Sequence, residues 1–394
     1  MHHAGLDWGG QHHQLAIVDD HGQQQINSRF DHDVTGVAAL LDTLAEFRPH
    51  GVAIERAEGL LVEALQTSGH VVFPISPRMS ARARERYQAA ARKNDRFDAF
   101  VLAETLRTDG HRLRPLGVPS PLLAELRAVV RHRRQATAAH LGVASQLKAC
   151  LDAYNPALGQ VFSTVDRDAT LALIRRYPTP QKASRITPDR MQRFCERIGY
   201  SGRVDPALLH RRLHDNLLTA SCGSVDGHAF AAAMLADQLA MLTSQVKDYD
   251  RRIAALFDEH PDRDIFDSFP AVGPVLGPEL LTEIGEDRNR LPHVEHLLAE
   301  AGLAPVTLAS GKIQRVRIRR ACNRRLRQTC TSWAYVLKRD DPVTRERYQQ
   351  RLDKGQHKHA ALRAVGAPWM RMLWRCWQDR TRYDATRRRT HQPA

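Results

Sequence analysis

The sequence predicts an α/β N-terminal domain, a helical region with a coiled-coil helix, and a mostly α C-terminal domain. Three observations support this order. The first hundred residues alternate short apolar runs with turn residues, residues 235–256 carry an apolar heptad pattern, and residues 301–339 contain no acidic residue but many arginines. We place the domains at residues 1–110, 111–262 and 263–394, since a chain of 394 residues is long enough for several cores.

The N-terminal region reads as three successive strands followed by alternating helices and strands. A turn-forming Asp-Asp-His-Gly cluster at 19–22 separates the second strand from the third. Three strands in a meander, then alternating elements, is the order of a ribonuclease-H-like domain. The predicted strands are His3–Trp8, Gln14–Val18, Gln25–Phe30, Val52–Glu55 and Val71–Ile75, and the predicted helices are Thr35–Phe47 and Leu60–Thr67.

The middle region is predicted to be helical because its apolar residues recur at alternating steps of four and three, which keeps them on one side of a helix. Such a seam needs a partner, either a helix at Ala124–Leu151 of the same chain or a second copy of the protein. Residues 152–230 carry Pro, Gly and Asp at short intervals and indicate a loosely helical insert. The seam consists of Leu235, Leu239, Leu242, Val246, Tyr249, Ile253 and Leu256.

The C-terminal region opens with SFPAVGPVLGPELLTEIG. An apolar Gly-Pro turn between two helices is typical of a helix-hairpin-helix, whose turn offers backbone N–H groups to a phosphate, so Gly273 is a candidate nucleic-acid contact. A tight turn with prolines at the start of a helix is the structural alternative. Near the end, Trp369 and Trp377 share one helix face and are expected in the core.

The charge of the chain predicts a polyanionic partner. A formal net charge of +14 and a pI near 9.9 favour DNA or RNA. No apolar run approaches the roughly 18 residues that span a bilayer, so we expect no membrane association and a cytoplasmic protein. The six cysteines are scattered without zinc-site spacing, as expected in a reducing compartment.

Four acidic residues of the N-terminal region are candidate metal ligands. Asp7 lies within the predicted strand of AGLDWGG and Glu55 ends the strand of VAIE, while Asp95 and Asp98 are three apart in KNDRFDAFVLAE and share one helix face. Oxygen ligands of this type suit Mg²⁺ or Mn²⁺. Ordinary surface acids are the alternative, which is uncomfortable for acids within apolar strands because an unpaired buried charge is costly.

These motifs resemble the DEDD signature of transposases of the insertion sequence 110 family: GLDWG, the glutamate of VAIERAEG and the paired aspartates of KNDRFDAFVLAE. The resemblance implies a RuvC-like domain, that is, a ribonuclease-H fold, in which Asp7, Glu55, Asp95 and Asp98 hold Mg²⁺ or Mn²⁺.

The stretch GLAPVTLASGKIQRVRIRRACNRRLRQTC is similar to the C-terminal domain of the same family, where a serine before glycine is the proposed nucleophile. The matching residue is Ser310. Basic residues following it would neutralise DNA phosphates. They are Lys312, Arg315, Arg317, Arg319, Arg320, Arg324 and Arg325.

The resemblance therefore implies a transposase that acts as a site-specific recombinase, cutting and rejoining double-stranded DNA through a phosphoserine. It also implies guidance by a structured non-coding RNA encoded by the element, and work in the bacterial cytoplasm at the nucleoid. The heptad helix and the need to hold two duplexes predict a dimer or tetramer. Two alternatives stay open: a RuvC-like junction endonuclease that uses water, and a non-catalytic nucleic-acid-binding scaffold.

Overall fold

The computed structural model describes residues 1–87, 94–215, 220–310 and 313–386, and the side chains of residues 308–310 and 313–315 lie outside this description. The chain divides into two compact units. One unit combines residues 1–123 with residues 261–394, and the other holds residues 124–260. Within the described ranges, no helix is long and apolar enough to cross a membrane.

The N-terminal part of the first unit is a mixed five-stranded sheet, in the spatial order β3-β2-β1-β4-β5. The first three strands form an antiparallel meander, and β4 and β5 join β1 in parallel. This confirms the predicted mixed α/β domain, which is consistent with a DEDD or RuvC-like fold. The strands are β1 His2–Trp8, β2 His12–Asp19, β3 Gln24–Asp31, β4 Val52–Ile54 and β5 Val72–Pro74.

Helices cover the two faces of this sheet. Apolar side chains of α1 and α2 pack with Ala4 and Leu6 on one face, while Leu102 and Leu106 of α4 pack with Ala53 on the other. Because side chains alternate along a strand, this arrangement fixes which residues of β1 and β4 face α4. The helices are α1 Val34–Phe47, α2 Leu60–Thr67, α3 Pro77–Tyr87 and α4 Asp95–Asp109, followed by a short 3₁₀ helix, Gly110–Arg112.

The second unit is helical. Its long helices α5 and α11 run antiparallel, with ion pairs between Arg252 and Glu125 and between Arg133 and Asp250. Four of the seven seam residues are buried, and two of them, Leu239 and Leu242, belong to the same core as Leu147 and Leu151 of α5. The predicted insert forms short helices between them. The helices are α5 Pro121–Tyr154, α6 Pro156–Gln160, α7 Asp168–Arg176, α8 Pro180–Ala183, α9 Pro188–Arg197, α10 Pro206–Asp215 and α11 Cys222–Glu259.

The C-terminal part of the first unit is mainly helical, with one antiparallel hairpin. Trp333, Trp369 and Trp377 are fully buried, which confirms the core assignment of Trp369 and Trp377. The elements are α12 Arg263–Asp267, α13 Gly273–Ile284, a 3₁₀ helix Arg288–Arg290, α14 Val294–Glu300, β6 Val306–Ser310, β7 Ile313–Arg317, α15 Arg324–Asp340, α16 Pro342–Asp353 and α17 Lys358–Asp379.

Candidate metal and nucleic-acid site

Two of the predicted ligands come from neighbouring parallel strands. Leu6 of β1 pairs with Ile54 of β4, so Asp7 and Glu55, each one residue further on, lie side by side at the same edge of the sheet. A Cβ on Gly5 would lie 2.2 Å from the carbonyl oxygen of Ala99, which shows that Gly5 faces α4. Strand alternation then puts Asp7 on the α4 face as well.

Helix α4 supplies the other two carboxylates in its first turn. Asn94 caps the helix, because its side chain accepts a hydrogen bond of 2.8 Å from the backbone N–H of Phe97. Acidic residues in a first turn also complement the positive end of the helix dipole. Asp98 is buried, whereas the side chain of Asp95 is 58% exposed. The structure thus brings all four predicted carboxylates to one end of the sheet.

Arg84 of α3 lies between two of these carboxylates. Its Nη1 is 3.0 Å from Oδ1 of Asp98 and 3.9 Å from Oε1 of Glu55, and it donates to the hydroxyl of Ser80 at 3.3 Å. A single guanidinium therefore neutralises acids from both the strand and the helix. Asp95 is held separately, by a 3.2 Å contact with Nε2 of His12.

The donor atoms of this site fit a divalent cation in their chemistry, although their spacing in the structure does not. In the described ranges, no three His, Cys, Asp or Glu side chains stand close enough together to hold a metal ion. Arg84 is a positive charge that Glu55 and Asp98 already share, and their carboxylate oxygens are the donors that hard cations such as Mg²⁺ and Mn²⁺ prefer. Asp7, Glu55, Asp95 and Asp98 are the residues that could hold such an ion.

Two nearby acids are engaged elsewhere. Glu104 is buried and forms an ion pair of 2.7 Å with Arg107, and its other oxygen accepts from Tyr87 at 3.2 Å. Burial and this carboxylate raise the pKa of Tyr87. Glu58 lies 3.5 Å from Arg325. Because both acids are paired with arginines, neither is a candidate ligand for the metal ion in this arrangement.

Ser310 is the last residue of β6. The hairpin register pairs it with Ile313, the first residue of β7. Lys312 lies outside the described residues, as do the side chains of Ser310 and Arg315. The backbone therefore puts the serine at the tip of a hairpin.

The remaining arginines of the basic stretch fall into two groups. Arg317, Arg320 and Arg324 are exposed. Arg319 and Arg325 are tied to the protein: Nε of Arg319 donates to the carbonyl of Ala304 at 3.3 Å, and Arg325 pairs with Glu283 at 3.0 Å as well as with Glu58.

The Gly-Pro turn connects α12 with α13. Gly273 begins α13 with a φ of +59°, a conformation that favours glycine, and a Cβ built there would meet nothing within 4 Å. Trp333 fixes the turn by donating from Nε1 to the carbonyl of Pro270 at 2.9 Å. The first residue of α13 is therefore open to approach from outside.

Local sequence patterns contain no signal for Arg84 and only a weak one for His12. Arg84 is one of several arginines in RMSARARER, and nothing in its spacing separates it from the others. His12 and His13 are adjacent in β2, and strand alternation sends them to opposite faces. A contact between β2 and α4 depends on how the helix packs, which local patterns do not encode.

Known proteins of transposable elements resemble this chain over most of its length. A transposase model of the DEDD type of IS110 matches residues 4–156, and a model of the transposase IS116/IS110/IS902 family matches residues 263–349. A protein of Streptomyces coelicolor named as a mini-circle putative transposase for IS117 is 34% identical, covering 97% of this chain and 95% of the relative. The 42 kDa protein of insertion element IS900 from Mycobacterium paratuberculosis is 28% identical over 96% of each chain.

The 44.8 kDa protein of insertion element IS116 from Streptomyces clavuligerus is 26% identical, with coverage of 95% and 94%. The two matched segments coincide with the two parts of the sequence that carry the carboxylates and the hairpin serine. Full-length similarity and both family models lead to one conclusion: the chain belongs to the IS116/IS110/IS902 family of transposases.

Proposed function

We propose that this transposase is a site-specific DNA recombinase that cuts and rejoins strands through a phosphoserine at Ser310, with Mg²⁺ as its cofactor. The observation that carries the proposal is the convergence of Asp7, Glu55 and the first turn of α4 at one end of a ribonuclease-H-like sheet. We also propose that the chain has three domains, at residues 1–110, 111–262 and 263–394.

Asp7, Glu55, Asp95 and Asp98 would hold the divalent cation. When bound, such an ion activates an attacking oxygen and stabilises charge on the leaving oxygen of a phosphodiester. The chain's own part is to fix the carboxylates: β1 and β4 set two of them by register, and the Asn94 cap sets the start of α4. Arg84 pairs with both Glu55 and Asp98 and would compete with the ion for these carboxylates.

Ser310 would supply the nucleophile. Its Oγ forms a bond to phosphorus, the bond from phosphorus to one deoxyribose oxygen breaks, and the hydroxyl proton leaves the serine while the released oxygen is protonated. The phosphodiester count is conserved, so a deoxyribose hydroxyl of another strand can reverse the step and rejoin DNA. A residue at a hairpin tip suits this role, because a strand of DNA can approach it without displacing core residues.

The exposed basic residues would position the DNA. Arg317, Arg320 and Arg324 carry positive charge next to the serine hairpin, and arginine pairs well with phosphate oxygens. Lys312 and Arg315 belong to the same proposed surface. Gly273 would add backbone N–H groups at the start of α13.

The proposed partners are DNA of the element ends and target, and a structured guide RNA encoded by the element. The net charge of +14 supports polyanionic partners in general. We also propose that α5 and α11 form a coiled coil and that the protein assembles into a dimer or tetramer, since recombination must hold two duplexes. It would act in the bacterial cytoplasm at the nucleoid.

The test is a cleavage assay on a denaturing gel, with labelled DNA of the element ends, Mg²⁺ and RNA transcribed from those ends. Wild type is compared with Ser310→Ala and with Asp98→Asn. We expect a covalent protein–DNA adduct in wild type and none in either variant. The matched control is Thr307→Ala, which removes a different hydroxyl from the same strand, β6, and should leave the adduct intact.

The other outcomes identify the rival functions. Free nicked DNA in equal yield from wild type and Ser310→Ala would refute the serine role and leave a metal-dependent endonuclease that uses water. DNA binding without cleavage under every condition, including saturating Mg²⁺, would leave a nucleic-acid-binding scaffold.

A further inference from the structure

A concave site on the C-terminal helices has no role in the chemistry proposed above. It is a cavity of about 550 Å³ between α16, α17 and the segment that follows α17. This volume lies in the roughly 300–1,000 Å³ range of small-ligand sites. Its walls come from elements that carry neither the four carboxylates nor the serine hairpin.

The floor of the cavity is apolar and aromatic. Val365 and Trp369 are buried beneath it, and Met372 and Tyr383 are half-buried at its surface. The ring of Tyr383 packs on Phe269 at 4.8 Å between centroids, so it is held in one position. The floor therefore offers a rigid surface against which a flat ring can lie.

The wall formed by residues 381–384 is fixed to the rest of the unit. Arg380 has a φ of +54° and turns the chain back after α17. The backbone N–H of Tyr383 donates to Ser268 Oγ at 2.8 Å, and that of Thr381 donates to the carbonyl of Cys376 at 2.9 Å. Because these hydrogen bonds fix its wall, the cavity is a stable part of the unit.

Positive charge surrounds the opening. Four arginines and two aspartates line the cavity. Arg375 pairs with Asp379 at 2.6 Å, and Asp384 accepts hydrogen bonds from the backbone and hydroxyl of Thr386. In the described part of the chain, no hydrogen bond or ion pair holds the other three, which we call the rim arginines: Arg347, Arg371 and Arg382.

We propose that this cavity binds one unpaired nucleotide of a nucleic-acid strand, its base on the floor and its flanking phosphates on the rim arginines. Binding sites for single strands combine a positively charged groove with surfaces on which bases stack. A base within a duplex is stacked on its neighbours and cannot enter a concave site, so the geometry selects an unpaired one. The inference rests on the proposed function only for the source of such a strand.

The test measures binding by fluorescence anisotropy, without Mg²⁺, so that cleavage plays no part. The probes are labelled oligo(dT) and oligo(U) of about ten nucleotides, a length within the site sizes of single-strand binders, and a duplex of the same length. The variants are Arg347→Ala combined with Arg371→Ala, and Met372→Glu, which puts a carboxylate on the floor. The control is Arg176→Ala combined with Arg197→Ala, which removes the same charge from exposed positions outside the cavity.

We expect the double rim variant to bind the single strand at least about tenfold more weakly, with a salt slope reduced by about 1.4, that is about 0.7 for each phosphate no longer neutralised by an arginine. Met372→Glu should weaken single-strand binding about fivefold or more and leave duplex binding unchanged. The control variant should be affected far less. Preference for oligo(dT) or for oligo(U) would identify DNA or RNA as the source of the strand.

Equal single-strand affinity for the rim variant and the control variant would overturn the proposal. An equal loss of duplex and single-strand binding in Met372→Glu would also overturn it, because the cavity would then act as a nonspecific positively charged surface. Circular dichroism of each variant establishes that it is folded, and a third variant, Arg382→Ala, tests the opposite wall. Failure of Ser310 to form an adduct would refute the recombinase mechanism without changing these binding results.

Discussion

Replacing Gly5 by alanine tests whether the contact between α4 and β1 sets the carboxylate site. A Cβ at Gly5 would lie 2.2 Å from both the carbonyl oxygen of Ala99 and the backbone nitrogen of Ala103. Both are backbone atoms of α4, so no side chain can rotate away. The φ of Gly5 is outside the left-handed region, and the backbone itself therefore accepts alanine without strain.

The size of the effect follows from this overlap. An ordinary van der Waals contact begins near 3.4 Å, so α4 must move away from the sheet by about 1.2 Å. Overpacking of a core costs typically about 1–3 kcal/mol. Because the clash involves two rigid backbone atoms, we expect a loss of about 3 kcal/mol in the local stability of β1 and α4. Asp98 lies next to Ala99 and moves with the helix.

Hydrogen exchange of the β1 and α4 amides measures the local stability, and calorimetric titration with Mn²⁺ measures the site. A shift of about 1 Å in a positioned group can cost about 10²-fold in function, so Mn²⁺ affinity should fall at least about tenfold. The control is Gly10→Ala, since Gly10 is exposed and a Cβ there meets nothing within 4 Å. It should leave both measurements near wild type.

Equal exchange protection in Gly5→Ala and Gly10→Ala would refute the steric argument. Loss of stability with unchanged Mn²⁺ affinity would show that the four carboxylates are not positioned through α4. Unchanged Mn²⁺ affinity in Asp98→Asn would remove Asp98 from the ligand set directly.

Three further predictions concern charged groups. Arg84→Gln should tighten Mn²⁺ binding about fivefold in calorimetry, because it removes an ion pair of about 1 kcal/mol that competes for Asp98. Arg325→Ala should lower the free energy of unfolding in urea by about 3 kcal/mol, because Glu283, with a side chain 2% exposed, loses its cationic partner. Burial lowers the pKa of His13 to about 4, so His13 should make unfolding about 2 kcal/mol easier at pH 5 than at pH 7, and His13→Gln should reduce the pH dependence of stability by that amount.

The sign of the pH effect follows from proton uptake. An unfolded histidine has a pKa of 6.5, so between pH 6.5 and about 4 the unfolded chain binds a proton that folded His13 does not. The contribution of His13 to stability is therefore complete above pH 6.5 and falls as the pH drops toward 4. An identical pH dependence in His13→Gln would contradict this. Weaker Mn²⁺ binding in Arg84→Gln, or a loss below about 1 kcal/mol in Arg325→Ala, would refute the other two.

The strands and helices near the carboxylates could be predicted from local patterns. Predicted strand Gln25–Phe30 and observed strand Gln24–Asp31 differ by one residue at each end, and the predicted helix Leu60–Thr67 is observed with the same bounds. These elements follow from alternation or helical periodicity, which act over a few residues. The insert that the sequence predicts as loosely helical forms the short helices α6 to α10, because its Pro and Gly residues start and end helices.

The contacts that assemble the site could not be predicted in this way. Arg84 meets Glu55 and Asp98 only because α3 folds back beside α4, and the contact between His12 and Asp95 needs α4 packed across β2. Gly5 permits that close packing, yet in sequence it reads only as a residue of a strand. The four carboxylates could be proposed as metal ligands from their residue types and their positions in strands and a helix, whereas the proposed role of Ser310 follows from the family resemblance alone.

Arg324 and Arg325 are neighbours in the basic run, but their surroundings in the structure differ. Arg324 is exposed, while Arg325 is held between Glu283 and Glu58. Glu283 is buried, and a buried carboxylate needs a charged partner. Arg325 therefore stabilises the fold, even though its own side chain is 43% exposed. Glu58 lies on the segment that follows Glu55. Arg325 therefore links α15, which follows the serine hairpin, to the loop that follows Glu55. The proposed site uses residues from both of these parts of the chain and requires such a link between them.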